Sequence, residues 1–201
     1  MDKRIAWNKG RLVGQKVPLK LQEIWSIRTR LEIANNIREL AMFNLGIDSK
    51  LRACDLVALK VADIMRSGDI LARTCIVQHK TGTPVQFEIT PLTRKTVKAW
   101  IDNKSLNYFD FLFPSRIKKG KHITTRSYFR IVLKWIKSIG LDPSLYGTHS
   151  IRRTKVSILY KRDKNLRAIQ LLLGHKKIES TVRYLGIEVQ DALEASEKLD
   201  I

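Results

Sequence analysis

Apolar residues recur at helical spacing along most of this sequence, which predicts a mainly helical fold. The spacing is clear from Leu19 to Leu31 and again from Asn35 to Leu45, with Gly46 as the expected end of the second helix. The larger apolar residues of these helices are expected in the core: Trp25, Ile33, Ile37, Leu40 and Phe43. With 201 residues, 44% of them hydrophobic, the chain is long enough to bury a substantial core in one domain.

One β-rich region interrupts the helical pattern. The runs within it that favour strands are residues 61–65, 71–78 and 85–90. Strong turn signals join these runs at Arg66-Ser67-Gly68-Asp69 and at Lys80-Thr81-Gly82-Thr83-Pro84. The sequence therefore predicts a mainly α fold with a small antiparallel β-sheet, of the α+β class, in which Lys80 lies in a turn.

Helix start and stop signals position several of the other helices. Asp48 or Ser49 is expected to cap a helix that carries Arg52. Thr90-Pro91 has the pattern of a cap followed by the first helical residue, and Gly174 is expected to end a short apolar helix.

The charge balance indicates a polyanionic partner. Lysine and arginine total 38 and aspartate and glutamate 19, for a net charge of +19. Nucleic acid is the simplest such partner, and RNA binding would explain the charge as well as DNA binding does. No apolar run approaches the ~20 residues needed to cross a bilayer, and the basic N-terminus lacks the apolar core of a signal peptide. We expect a cytoplasmic, nucleoid-associated protein without a membrane partner.

Composition divides the chain into three segments. Residues 1–20 are expected to form a basic N-terminal arm, residues 21–187 one domain, and residues 188–201 an acidic C-terminal helix or tail.

The two cysteines, Cys54 and Cys75, do not form a Cys-x-x-Cys pair, and the histidines and cysteines lack the spacing of metal ligands. We therefore expect neither a disulfide framework nor a metal site.

Two helical positions near residue 150 are suited to binding an anion. His149 and Arg152 are separated by one helical turn and share a face. Thr148 is expected to cap this helix, which places both side chains near an N-terminus that favours phosphate. Arginine adds bidentate recognition of phosphate oxygens.

Tyr184 is a candidate nucleophile if a proton acceptor lies close to it. Because the pKa of free tyrosine is about 10, only about one part in a thousand is phenolate at neutral pH. His149 and His175 are the available acceptors from this part of the sequence.

The order His149-x-x-Arg152, Leu173-Gly174-His175 and Tyr184 resembles the C-terminal signature of the tyrosine recombinases, the phage-integrase family. The upstream signature of that family is present as well. Leu51-Arg52-Ala53-Cys54-Asp55-Leu56 matches its first arginine motif, and Gln78-His79-Lys80-Thr81-Gly82 matches its hairpin lysine. The resemblance extends from about residue 20 to about residue 190 and implies the fold of a tyrosine-recombinase catalytic domain.

This resemblance implies a metal-independent strand-transfer enzyme without a cofactor. Arg52 and Arg152 would bind the scissile DNA phosphate, and Tyr184 would attack the phosphorus to form a 3′-phosphotyrosyl linkage. His149 would manage the tyrosine proton.

The resemblance also implies roles for Lys80 and His175. Lys80 would protonate the leaving 5′-oxygen, and His175 would donate a hydrogen bond to the phosphate. Asp55 is expected to support the site by holding Arg52 or a neighbour in position. The candidate DNA-binding residues are a basic stripe on a helix beginning near Thr124, together with one arginine beside the catalytic pair: Arg126, Arg130, Lys134 and Arg153.

Double-stranded DNA is thus the expected partner, and a homo-oligomer, dimer or tetramer, is expected on it. Arg52 lies so near the start that there is no room for the N-terminal DNA-clamping domain usual in the family, so an accessory bending or clamping protein is a further expected partner. The alternatives are a type IB topoisomerase that reseals the same strand, a non-catalytic DNA-binding regulator of this fold, and an RNA-binding protein.

Overall fold

The computed structural model describes residues 15–186 and 196–197 and confirms a mainly helical fold with small antiparallel sheets. In chain order its elements are α1 (Leu21–Ile33), α2 (Ile37–Ser49), α3 (Ala53–Ala58), α4 (Val61–Ile64), β1 (Met65–Arg66), β2 (Asp69–Ile70), β3 (Arg73–Val77), β4 (Pro84–Glu88), α5 (Pro91–Lys104), α6 (Thr125–Ser138), a 3₁₀ turn (Pro143–Leu145), α7 (Thr148–Asp163), α8 (Leu166–Leu173) and α9 (Ile178–Leu185). Most of the predicted basic arm lies outside the described residues, and so does the acidic tail apart from residues 196–197.

Helix α2 is the centre of the fold and is buried on every side over its second half. The prediction that Gly46 ends this helix is wrong, because α2 continues to Ser49 and ends at Lys50, whose φ is 56°. A Cβ atom on Gly46 would lie 3.0 Å from Cγ2 of Ile151 and 3.1 Å from the hydroxyl of Tyr128. The glycine therefore allows α6 and α7 to pack closely on α2.

Helix α1 buries a different face from the one that its aromatic residue indicates. Ile24, Ile27 and Leu31 are buried, whereas Trp25 is 52% exposed and Ile33 is 81% exposed, so the core positions predicted for Trp25 and Ile33 are wrong. The apolar residues of α1 occupy two faces of the helix, and only one of them meets α2 and α6.

The β-rich region forms two separate two-stranded sheets. The first predicted strand is instead the short helix α4, because the Asp63 carboxylate accepts a hydrogen bond from the Lys60 amide at 2.8 Å and closes a helical turn. Strand β1 pairs with β2, and β3 pairs with β4 in an antiparallel register that sets Arg73 opposite Glu88.

A cluster of alternating charges joins the β3–β4 hairpin to α2 and α7. The ammonium group of Lys155 on α7 lies 2.6 Å from Asp48 and 2.7 Å from Glu88 on β4, and Lys50 lies 2.7 Å from Glu88. The other Asp48 oxygen accepts a hydrogen bond from the Thr90 amide at 2.9 Å. Asp48 therefore stabilises the start of α5. The prediction that Asp48 or Ser49 caps the helix that carries Arg52 is wrong, because Arg52 itself is the N-cap residue of α3.

Helices α8 and α9 pack on α7 around a small second core of Val156, Ile169 and Leu173, against which Tyr184 also packs. The apolar face of α8 thereby fixes the position of the segment that leads to His175. Of the helices described, none is both long enough and apolar enough to cross a membrane.

Candidate active site

Arg52 is held by Gln78, a residue of the hairpin-lysine motif for which no role was predicted. Arg52 is the N-cap residue of α3, and its guanidinium donates a hydrogen bond to the side-chain oxygen of Gln78. Gln78 is only 1% exposed and lies just after β3, where it also accepts a hydrogen bond from the hydroxyl of Thr81 at 3.0 Å. The sequence feature that could have indicated this role is the position of a polar residue, Gln78, between a predicted strand and the turn that contains Lys80.

Asp55 supports the turn next to Lys80. One of its carboxylate oxygens accepts a hydrogen bond from the backbone amide of His79 at 2.9 Å. Its other oxygen is buried and has no hydrogen-bond partner among the described residues. Asp55 therefore holds the backbone of the hairpin turn at His79, and Arg52 is bonded to Gln78 instead.

Arg152 is buried in α7, with 3% of its surface exposed. It donates a hydrogen bond to the backbone carbonyl of Leu173 at 3.0 Å, and Gln78 donates to the same carbonyl at 3.5 Å. The end of α8 therefore holds both arginines, Arg152 directly and Arg52 through Gln78. The Nε atom of Arg152 is buried without a partner in the described part of the chain, so one donor is unused.

Four predicted site residues line one basic cavity of about 290 Å³: Arg52, Lys80, His149 and Arg152. Thr125 and Thr148, the first residues of α6 and α7, line it as well. Unpaired backbone N–H groups and the helix dipole make such N-termini favourable for anions. Thr148 is the first helical residue and Gly147 the cap, so the prediction that Thr148 caps α7 is wrong by one position.

His149 also lines a second cavity, of about 360 Å³, together with Arg153, Arg183 and Tyr184. Although His149 as a residue is exposed, desolvation of its ring and the positive charges of Arg152, Arg153, Arg52 and Lys80 lower its pKa. His149 is therefore neutral at neutral pH, as a proton acceptor must be.

Tyr184 on α9 has a buried hydroxyl without a hydrogen-bond partner among the described residues. The guanidinium carbons of Arg152 and Arg153 lie 5.8 Å and 5.5 Å from the centre of its ring. Burial raises the pKa of Tyr184 to about 12, against the opposing effect of the arginine charges. The phenol is thus protonated in this arrangement and needs an acceptor to react.

His175 lies beside Tyr184, with ring centres 5.4 Å apart in an edge-to-face arrangement. Its Nδ1 atom is 3.1 Å from the hydroxyl of Thr181. Burial, with the charges of Arg152 and Arg52, lowers the pKa of His175 to about 4, so its ring is neutral at neutral pH.

The predicted DNA-contact residues fall into two groups. Arg126, Arg130 and Lys134 are exposed on α6, and Lys134 has only a loose contact with Glu39, at 3.8 Å. Arg153 is instead 6% exposed and donates a hydrogen bond to the carbonyl of Lys16 at 2.8 Å. Arg153 therefore belongs to the surroundings of Tyr184 and lies apart from the exposed stripe.

The described residues contain no cluster of three or more histidine, cysteine or acidic side chains that could hold a metal ion. The positive charges in the two cavities come from arginine and lysine side chains.

The chain is similar in sequence to known proteins. The model of the phage integrase family matches residues 19–190. The probable integrase/recombinase YoeC of Bacillus subtilis (strain 168) is 27% identical over 179 residues, which are 89% of this chain and 93% of that protein. A tyrosine recombinase of Pseudothermotoga lettingae is 30% identical over 82% of this chain and 54% of its own length.

The fold is also similar to that of a solved structure. A crystal structure of the XerH site-specific recombinase bound to its difH substrate superposes with a TM-score of 0.70 at 19% identity. The match covers 90% of this chain and 54% of XerH. The chain thus spans about half the length of two of these proteins and nearly all of the third.

Proposed function

Because this chain belongs to the phage integrase family, we propose that it is a site-specific DNA recombinase that cleaves and rejoins strands through a 3′-phosphotyrosyl intermediate. The observation that carries this proposal is the pair of cavities that share His149. One contains Arg52, Arg152 and Lys80, and the other contains Tyr184. A phosphate held in the first cavity would lie against His149, the proposed proton acceptor, and His149 also lines the cavity that contains Tyr184.

Arg52 and Arg152 bind the scissile phosphate in this proposal. Hydrogen bonds to a charged group contribute about 1.5–3 kcal/mol each, and Arg152 has an unused buried donor for one of them. The N-termini of α6 and α7 add favourable dipoles. These fixed positive charges stabilise the additional negative charge that develops on the phosphoryl oxygens in the transition state.

Tyr184 supplies the nucleophile and His149 accepts its proton. The phenolic oxygen attacks phosphorus, the bond from phosphorus to the 5′-oxygen breaks, and Lys80 donates a proton to that oxygen. His175 donates a hydrogen bond to the phosphate. The 5′-hydroxyl of another strand then attacks the phosphotyrosine and releases Tyr184, so that the number of phosphodiester bonds is conserved.

Lys80 lies in the turn after β3 and is exposed. The base of its hairpin is anchored by Asp55, which accepts from the His79 amide, and by Gln78, which accepts from Arg52. An exposed tip on an anchored base allows the lysine to move towards bound DNA without displacing Arg52. This arrangement supports its proposed role as the general acid.

Double-stranded DNA is the proposed substrate. The net charge of +19 and the exposed stripe of Arg126, Arg130 and Lys134 favour phosphate contacts along a duplex. We propose that the protein acts as a dimer or tetramer on DNA and that an accessory protein bends or clamps the duplex.

The proposal is tested by trapping the covalent intermediate on nicked duplexes that carry the sequences flanking the gene. On a denaturing gel, the unaltered protein should give a protein–DNA band that Tyr184→Phe does not give. Tyr108→Phe is the matched control, because Tyr108 is 46% exposed and lines neither of the two cavities. A band of equal intensity from Tyr184→Phe would refute the assignment of the nucleophile.

A further inference from the structure

Thr181 has a buried hydroxyl group that faces one histidine nitrogen. The residue lies on α9 with 0% of its surface exposed. Its Oγ1 atom is 3.1 Å from Nδ1 of His175, and this is its one side-chain hydrogen bond among the described residues. A buried hydroxyl hydrogen without an acceptor is unfavourable, so this contact constrains both groups.

The direction of the hydrogen bond follows from the same contact. A neutral imidazole has one protonated nitrogen and one acceptor nitrogen. If Nδ1 carried the hydrogen, the hydroxyl hydrogen of Thr181 would be left buried without an acceptor. If Nδ1 is the acceptor, Thr181 donates to it and the hydrogen of the ring is on Nε2.

Thr181 also connects His175 to the helix of the nucleophile. Thr181 and Tyr184 lie one helical turn apart on α9 and therefore share a face. The rings of His175 and Tyr184 are 5.4 Å apart. The same short helix thus carries the reactive phenol and the hydroxyl that contacts the neighbouring imidazole.

We propose that Thr181 is a positioning residue that donates its hydroxyl hydrogen to Nδ1 of His175 and so keeps Nε2 of the ring protonated as a hydrogen-bond donor to the phosphate. The part of this inference that concerns phosphate rests on the proposed function. The part that concerns the hydrogen bond is independent of it. The low pKa of His175 agrees with a neutral ring, which has a single ring hydrogen to place.

The state of the ring is measured directly by nitrogen NMR on histidine-labelled protein at neutral pH. The chain has 4 histidines, and the signal of His175 is identified by its absence in His175→Gln. We expect the pattern of a single tautomer protonated at Nε2. In Thr181→Val the pattern should shift towards a mixture of both tautomers, and Thr181→Ser should restore the original pattern.

The kinetic readout is the rate of covalent adduct formation on the nicked duplex. Because displaced catalytic groups lower rates steeply, Thr181→Val should slow the reaction by about 10- to 100-fold, while Thr181→Ser keeps most of the rate. Thr96→Val is the control for loss of a buried hydroxyl, since Thr96 on α5 is 8% exposed, is bonded to Asn44 of α2 and lines neither cavity. It should leave the rate unchanged.

The results separate this inference from the proposed function. A ring protonated at Nδ1, or identical spectra for Thr181→Val and the unaltered protein, would overturn the inference whatever the activity. Absence of any adduct from the unaltered protein would count against the proposed function, and the NMR pattern would still decide the hydrogen bond. A Thr181→Val variant with unaltered adduct rate would overturn the positioning role.

Discussion

Gly174 should be far more sensitive to substitution than the other glycines that end helices. It follows α8 with a φ of 66°, and a Cβ atom added to it would overlap Cγ2 of Val85 on β4. Gly140, after α6, has a similar φ of 78°, but no atom of the described residues lies within 4 Å of a Cβ added to it. The two positions share the backbone requirement, and only Gly174 lies against a neighbouring element.

The expected loss of unfolding free energy has two contributions, the left-handed backbone conformation and the overlap with Val85. A left-handed conformation costs a residue with a Cβ atom about 1–2 kcal/mol, which applies to both variants. Overpacking adds about 1–3 kcal/mol when a neighbour must move, which applies only to Gly174→Ala. We therefore expect Gly140→Ala to lose about 1–2 kcal/mol of unfolding free energy and Gly174→Ala to lose about 2–5 kcal/mol.

Urea unfolding of both variants measures these losses, and covalent adduct formation measures their effect on the site. Gly174 precedes His175 and lies against Val85 of the β3–β4 hairpin, whose turn contains Lys80. Its variant should therefore also slow adduct formation. The Gly140 variant should not. Equal unfolding free energies for the two variants would refute the packing argument.

Three further substitutions test other parts of the structure. Gln78→Leu should slow adduct formation by about 10- to 100-fold without weakening duplex binding, because it releases the guanidinium of Arg52. A gel-shift assay measures duplex binding, and the cleavage assay run beside it measures the rate of adduct formation. Burial opposes ionisation of Asp48, but its hydrogen bonds with Lys155 and Thr90 outweigh burial and lower its pKa. Its charge therefore stabilises the fold above the unfolded-state pKa of about 4, and the destabilisation measured for Asp48→Asn should shrink as pH falls through the lower, folded-state pKa. Trp25→Ala should cost less than about 1 kcal/mol in urea unfolding, whereas replacing a buried tryptophan costs about 3–5 kcal/mol.

The residues that form local patterns were predictable from the sequence. Helix spacing, the Thr90-Pro91 start of α5 and the Gly174 end of α8 depend on neighbours along the chain, and the structure has all of them. The spacing of His149 and Arg152 places both on α7, because one helical turn separates them.

What the sequence could not indicate depends on contacts between distant segments. Gly46 has the appearance of a helix stop, but close packing of Ile151 and Tyr128 requires it inside α2. Gln78 becomes a partner of Arg52 only when the hairpin folds against the start of α3. The exposed face of α1 is likewise decided by where α2 and α6 lie.

The role of Tyr184 as the nucleophile is tested most directly by identifying the amino acid that is joined to DNA. The trapped adduct would be digested with protease and nuclease, and the modified peptide sequenced by mass spectrometry, with end-labelled strands reporting the polarity of the break. We expect a nucleotide linked through its 3′-phosphate to the oxygen of Tyr184, with a free 5′-hydroxyl on the other fragment. A modification on another residue, or a linkage through a 5′-phosphate, would contradict the proposed chemistry.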